Sequence, residues 1–131
     1  MKLITEFPTE TLILLFLIVT FLQSGFDKLL DWKGNVSFIT EHFKNSPLQN
    51  GVPFLLAIIL IIEIIAGILM IVGIYQLATS GNSEMALYGV ELSALTLIFL
   101  LIGQRLAKDY AGAMSLAVYF IITVFGVFLL Q

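Results

Sequence analysis

Four long apolar stretches, separated by polar connections, set the pattern of the chain. They occupy residues 9–30, 53–77, 85–106 and 110–130. Each has the roughly 20 residues that an α-helix needs to cross the hydrocarbon core of a bilayer. Only a few polar residues join the second stretch to the third and the third to the fourth, so consecutive helices must run antiparallel. The pattern predicts an all-α integral membrane protein, with residues 1–131 forming one four-transmembrane-helix antiparallel bundle.

The first stretch is expected to remain in the protein as a helix. Residues 1–10 contain one Lys and two Glu, whereas a secretory signal peptide begins with a basic region. No small-residue cleavage pattern follows the apolar run. Pro8 and Pro53 stand where the first and second helices begin, a position at which Pro is well tolerated.

The first connection, residues 31–52, is the only long one, and it carries an apolar pattern of its own. Trp32, Val36, Ile39 and Phe43 are separated by four, three and four residues, which is the spacing of one helix face. The pattern predicts a short interfacial helix within residues 32–45. An ordinary loop with scattered aromatic side chains is the alternative.

Composition excludes several classes of protein. Hydrophobic residues make up 60% of the chain and charged residues 11%, with a mean hydropathy of +1.07, whereas soluble domains average roughly 45–50% apolar and about 25% charged residues. The net charge of -3 does not favour nucleic-acid binding. Without Cys and with a single His, His42, one chain offers no disulfide, no iron–sulfur ligands and no bis-His haem site. We therefore expect no covalent or metal-ligated cofactor.

Glu63 is the most conspicuous polar residue, because it stands alone near the middle of the second apolar stretch. An ionisable side chain in hydrocarbon is costly and is kept where it meets a partner or a cavity. Two roles remain open at this point. The carboxyl group is either a neutral, hydrogen-bonded structural element, or a group that contacts a ligand and exchanges a proton.

Candidate neighbours of Glu63 follow from depth in the membrane. With a rise of about 1.5 Å per residue, Gln23 and Glu63 lie roughly 21 Å from the side that holds the N-terminus. Thr96 and Tyr119 come within about one helical turn of that level. These four residues are predicted to form a polar layer. Glu91 lies only about 9 Å from the same side, so a carboxylate pair that shares a proton is disfavoured.

Other polar and small residues cluster in the spans or near their ends. Gly67 and Gly73 resemble the small residues that allow close helix packing in membranes. A group of charges collects at the helix ends on the opposite side of the membrane: Asp27, Lys28, Arg105, Lys108 and Asp109. Long cationic side chains at such positions anchor helices at the interface, and a buried ion pair is the alternative for Lys28 and Arg105.

Three short segments combine small and charged residues near the ends or middles of the spans: residues 25–29 (GFDKL), residues 63–67 (EIIAG) followed by Gly73, and residues 104–112 (QRLAKDYAG). Together these segments resemble the DoxX family. Their order and spacing on four spans carry the resemblance, which covers essentially the whole chain. Leu14 and Ile18 stand where family members often carry Arg and Gly, and Ala66 stands where they often carry Gly. The resemblance implies a small bacterial membrane protein associated with quinol oxidase or thiosulfate:quinone oxidoreductase complexes, or with membrane assemblies that handle oxidative stress.

Two functions follow as expectations. The first is a non-catalytic accessory or assembly subunit of a redox-linked or respiratory membrane complex, with other membrane subunits or a second copy as partners in the lipid bilayer. The alternative is a bundle that binds a quinone or lipid, with Glu63, Gln23 and Tyr119 lining the site. An enzyme acting alone is least favoured, because nothing in the sequence resembles a nucleophile–base pair or a metal site.

The expected location is the bacterial inner membrane. The side of the first and third connections carries most of the cations: Lys28, Lys33, Lys44, Arg105 and Lys108. Only Lys2 belongs to the other side. The positive-inside rule then places both termini outside the cytoplasm.

Overall fold

The computed structural model describes residues 2–131, and its regular elements are all helical. They are α1 (Lys2–Thr5), α2 (Pro8–Leu30), α3 (Trp32–His42), a 3₁₀ turn (Gln49–Gly51), α4 (Val52–Thr79), α5 (Glu84–Leu106) and α6 (Tyr110–Leu130). Helices α2, α4, α5 and α6 are long and apolar enough to cross a membrane. The predicted all-α four-helix membrane architecture, with a further short helix in the first connection, is confirmed.

The four long helices form an up-and-down bundle in the order α2, α4, α5, α6. Helix α4 packs against both α2 and α5, and α6 packs against α5. The contact between α2 and α6 completes the circle of four helices. We call it the α2–α6 seam, and it is the least extensive of the four contacts between neighbouring helices. The weaker seam leaves room for a surface cleft, described below.

The bundle core is mostly apolar and lies along the inner faces of the helices. It includes Leu14, Leu17 and Phe21 of α2, Ala66 and Met70 of α4, and Val90 and Leu97 of α5. Large apolar side chains also cover the outer faces, for example Leu12, Phe54, Ile61 and Ile121. An apolar exterior of this kind suits a bundle surrounded by lipid, which provides no water to hydrate polar groups.

Glycines bring α4 close to its neighbours. A Cβ atom on Gly73 would meet the backbone of Ala86 in α5, and one on Gly67 would meet the side chain of Leu22 in α2. Gly89 of α5 similarly faces Met70. In lipid, close approach of helices is a main source of packing energy, so these positions fix how α4 sits between α2 and α5.

Side-chain caps organise the end of the bundle that carries α3. The Asp31 carboxylate accepts a hydrogen bond from the Gly34 amide at the start of α3. Asp109 does the same for Gly112 at the start of α6, at 2.9 Å. Between α5 and α6, Lys108 adopts a positive φ of 61°, which lets a connection of three residues, 107–109, reverse the chain.

Helix α3 lies against this end of the bundle through one face. Trp32, Val36, Ile39 and Phe43 are each half-buried, whereas Lys33 and Ser37 are exposed. The apolar spacing in the sequence thus corresponds to the face that packs. Asn35 holds the first turns of α3 to the end of α2, because its amide donates to the carbonyl oxygens of Asp27 and Asp31.

Candidate functional site

Glu63 forms an ion pair with Lys28 between α4 and α2. The Lys28 Nζ atom lies 2.8 Å from Glu63 Oε1, and the two side chains are only 14% and 4% exposed. The same ammonium group donates to the Ser24 hydroxyl at 2.7 Å and lies 3.4 Å from the Ser24 carbonyl oxygen. All three of its donor positions therefore have acceptors within the bundle.

The local sequence explains why Lys28 reaches Glu63. Leu17, Phe21 and Gly25 are buried on the face of α2 that packs into the bundle, and Lys28 continues that face at helical spacing. A Cβ atom on Gly25 would lie 3.2 Å from Ile64, so α2 and α4 approach closely at this level. Helical side chains also lean toward the N-terminus, which directs the Lys28 stem back into the bundle.

The polar layer predicted around Glu63 is not assembled. None of Gln23, Thr96 and Tyr119 hydrogen-bonds to Glu63. The Thr96 hydroxyl donates to the Leu92 carbonyl within α5, Gln23 is exposed, and the Tyr119 ring packs near Phe16 with centroids 6.0 Å apart. Residues at equal depth are not necessarily in contact, because successive side chains along a helix are rotated by about 100° around its axis. Gln23 therefore points away from the buried face of α2 that carries Phe21 and Gly25.

Gln23 and Tyr119 instead line a cleft where α2 and α6 diverge. The cleft has a volume of about 360 Å³. It is bordered by one side of α2, by α3 and by α6, through Val19, Thr20, Gln23, Ser24, Asp27, Lys28, Asn35 and Tyr119. Within residues 2–131 the Gln23 amide, the Asp27 carboxylate and the Tyr119 hydroxyl have no hydrogen-bond partner. These groups could bind the polar end of an amphiphilic molecule, whose apolar part would lie along the seam.

The charged residues at the helix ends are divided among several contacts and do not form one cluster. Lys28 is paired with Glu63, the Arg105 guanidinium lies 5.4 Å from the centre of the Tyr110 ring, and Asp27 and Lys108 are exposed. Asp109 lies 3.3 Å from the Nε2 atom of His42. These charged side chains are separated because they point in different directions around their helices.

His42 makes contacts that sequence reasoning missed. Its Nε2 atom lies 3.0 Å from Gln104 Oε1 as well as near Asp109, and its ring packs edge-on against Phe43. The residue therefore joins the end of α3 to the connection between α5 and α6. Its place one residue before Phe43, on the packed side of α3, is the sequence signal that could have indicated it.

The second intramembrane acid, Glu91, is not part of this site. It lies on the outer surface of α5 and is exposed. Within the described residues 2–131, no three His, Asp or Glu side chains come close enough together to hold a metal ion. The chemically distinctive feature of the bundle interior is therefore the Lys28–Glu63 pair beside the cleft.

These features define a multi-pass membrane protein built on a four-helix bundle with a buried ion pair. The family model for DoxX matches residues 11–82, which is more than half of the chain, and the chain belongs to the DoxX family. The matched region contains both partners of the ion pair and the whole of α3. No curated protein and no solved structure matches the chain.

Proposed function

We propose that this protein is a non-catalytic accessory or assembly subunit of a redox-linked membrane complex in the bacterial inner membrane. The observation that supports this role best is the Lys28–Glu63 pair. The buried carboxylate is already occupied by a cation of its own chain, so the polar interior serves to hold α2 against α4. The close contacts of the α4 glycines also hold α4 against its neighbouring helices.

The residue inventory agrees with a supporting role. A chain with no Cys and one His relies on another subunit for thiol, iron–sulfur or bis-His haem chemistry. Its contribution would be to position or stabilise that subunit in the bilayer. Other membrane subunits, or a second copy of the chain, are the proposed partners.

The cleft supports a second candidate function, the binding of a quinone or lipid. Gln23 and Tyr119 offer unpaired polar groups at its wall, and phenol and amide groups can hydrogen-bond to a carbonyl or phosphate oxygen. In this case Lys28 would be the link between ligand and Glu63, because it lines the cleft and also pairs with the carboxylate.

Purification from native membranes in a gentle detergent tests the two functions against each other. Three forms are compared with the natural protein: Glu63→Leu, Glu63→Gln, and Gln23→Ala combined with Tyr119→Phe. An accessory role predicts that a redox subunit copurifies in fixed ratio with the natural protein and with the cleft double variant. We expect Glu63→Leu to lose that subunit, and Glu63→Gln to retain part of it, because a Gln oxygen can still accept from Lys28.

Two results would contradict the accessory role. One is a chain that purifies alone from membranes in which the respiratory complexes remain intact. The other is a quinone or lipid recovered in equal molar amount with the natural protein and lost in the cleft double variant, with no protein partner affected. The second result would establish the ligand-binding function instead.

A further inference from the structure

Helix α5 presents a continuous stripe of exposed side chains to the outside of the bundle. The stripe comprises Glu84, Tyr88, Glu91, Leu95, Ile98 and Ile102. Successive members are separated by four, three, four, three and four residues, which places them on one face of the helix. We refer to these six residues as the α5 stripe.

Glu91 is the member of the α5 stripe that lipid alone does not explain. Its carboxylate makes no hydrogen bond and no ion pair within residues 2–131. It lies seven residues after the start of α5, which is about 10 Å along the helix axis. Acids in membrane spans generally face the interior, where they find partners, as Glu63 does. The short stem of Glu also limits snorkelling, which the longer stems of Lys and Arg allow.

We propose that the α5 stripe is the docking surface for a membrane-spanning helix of a different subunit, which presents a Lys or Arg to Glu91. The proposal rests on the accessory function and names the contact that would carry it. A cation from the partner would neutralise the carboxylate within the interface. Leu95, Ile98 and Ile102 would pack against apolar side chains deeper in the membrane.

A second copy of this chain does not supply the missing cation. Copies in one membrane share the same orientation, so residues meet at equal depth and Glu91 would face Glu91 in a symmetric pair. Lys2 lies on the same side of the membrane as the start of α5, with its ammonium group beside Gly81 in the α4–α5 connection, roughly 10 Å shallower than Glu91. The remaining cations belong to the opposite half of the bundle: Lys28, Lys33, Lys44, Arg105 and Lys108. We therefore assign the cation to a partner with a different sequence.

Photo-crosslinking in native membranes tests this surface. A photoreactive amino acid replaces Leu95 in the α5 stripe, or replaces Ile68 on α4 or Val118 on α6. The two control positions are also exposed, at 53% each, and lie at similar depth. We expect a partner adduct from position 95 and little from positions 68 and 118. Glu91→Lys should lower the yield about tenfold or more, because like charges then face each other in the interface.

Mapping the adduct completes the test. The crosslinked partner peptide should lie in a membrane span with a Lys or Arg within about one helical turn. Changing that residue to Glu should restore the adduct of the Glu91→Lys form, which a merely misfolded variant could not do. Equal yields from all three positions, an adduct with a second copy, or adducts with lipid alone would overturn the docking surface. A complex that copurifies but crosslinks only through position 68 or 118 would overturn it while leaving the accessory function intact.

Discussion

Burial of the Lys28–Glu63 pair combines an unfavourable desolvation energy with a favourable electrostatic attraction. Removing two charges from water costs several kcal/mol for each ion, and the mutual attraction compensates only when the geometry is good and further hydrogen bonds are present. Here the Ser24 hydroxyl adds a second acceptor to the Lys28 ammonium group at 2.7 Å. The pair therefore contributes more to defining how α2 and α4 fit than to net stability.

A double-mutant cycle measures this balance. Lys28→Met leaves Glu63 without its cation, and we expect a loss of roughly 3–5 kcal/mol in unfolding free energy, as for other broken buried pairs. Glu63→Leu should cost a similar amount. The double variant should be more stable than either single variant, because no uncompensated charge remains. Denaturant titration of the purified protein in detergent gives these values.

The cycle has a matched control on the surface. Lys44 and Glu41 also pair, at 3.0 Å, but both side chains are more than half exposed. Lys44→Met should therefore change stability by less than about 1 kcal/mol, as is usual for surface pairs. Equal losses of unfolding free energy for Lys28→Met and Lys44→Met would show that the buried pair matters no more for stability than the surface pair.

The same residues show how far sequence reasoning reaches into a site. Glu63 stood out because one acid within an apolar span needs a partner. Its partner is harder to identify, because the depth of a residue along a helix does not give its direction around the helix. The face of α2 formed by Leu17, Phe21 and Gly25 extends to Lys28, so the helical period contained the signal. The tilt of the helices and the open α2–α6 seam depend on the whole packing arrangement, and no local pattern indicates them.

The positions of glycines determine how closely α4 packs against its neighbouring helices. Gly73 faces the backbone of Ala86, whereas Gly67 faces the flexible side chain of Leu22. We expect Gly73→Ala to destabilise the bundle by about 1–3 kcal/mol, the usual cost of overpacking. Gly67→Ala should cost less, because the end of Leu22 can move. The two variants can be compared by thermal unfolding in the same detergent.

Gly103 provides the control for this comparison. A Cβ atom there would lie 3.6 Å from the Phe43 ring, which is an ordinary contact distance. Gly103→Ala should leave stability unchanged or raise it by up to about 1 kcal/mol, because Ala is the better helix former. If Gly103→Ala destabilised as much as Gly73→Ala, close packing against Ala86 would not be the cause.

The helices themselves were predictable to different degrees. Long apolar runs indicate the membrane helices, because only a helix satisfies its own backbone in lipid. Helix α3 was predictable because one apolar face repeats through Trp32, Val36, Ile39 and Phe43. The short α1 was not, since four residues show no period. The contact of His42 with Gln104 joins residues 62 positions apart, and sequence spacing gives no information at that separation.

Positive charge is distributed unevenly between the two ends of the bundle. The end with α3 and the α5–α6 connection carries four exposed cations: Lys33, Lys44, Arg105 and Lys108. Lys28 no longer counts among them, because it is turned toward Glu63. The other end carries Lys2, and both termini lie there because four spans return the chain to the side on which it began. The excess of Lys and Arg at one end, on which the positive-inside rule depends, therefore remains when Lys28 is left out.

Cysteine labelling tests the resulting orientation, and the absence of Cys from the natural chain makes single replacements unambiguous. Ser80→Cys and Asn45→Cys introduce thiols at exposed positions in connections at opposite ends of the bundle. Because cations favour the cytoplasmic side, a membrane-impermeant maleimide should label Cys at position 80 in intact cells, and at position 45 only after the membrane is opened. Labelling of position 45 in intact cells, with position 80 protected, would invert the topology. It would also place the termini in the cytoplasm, together with Glu84 at the shallow end of the α5 stripe.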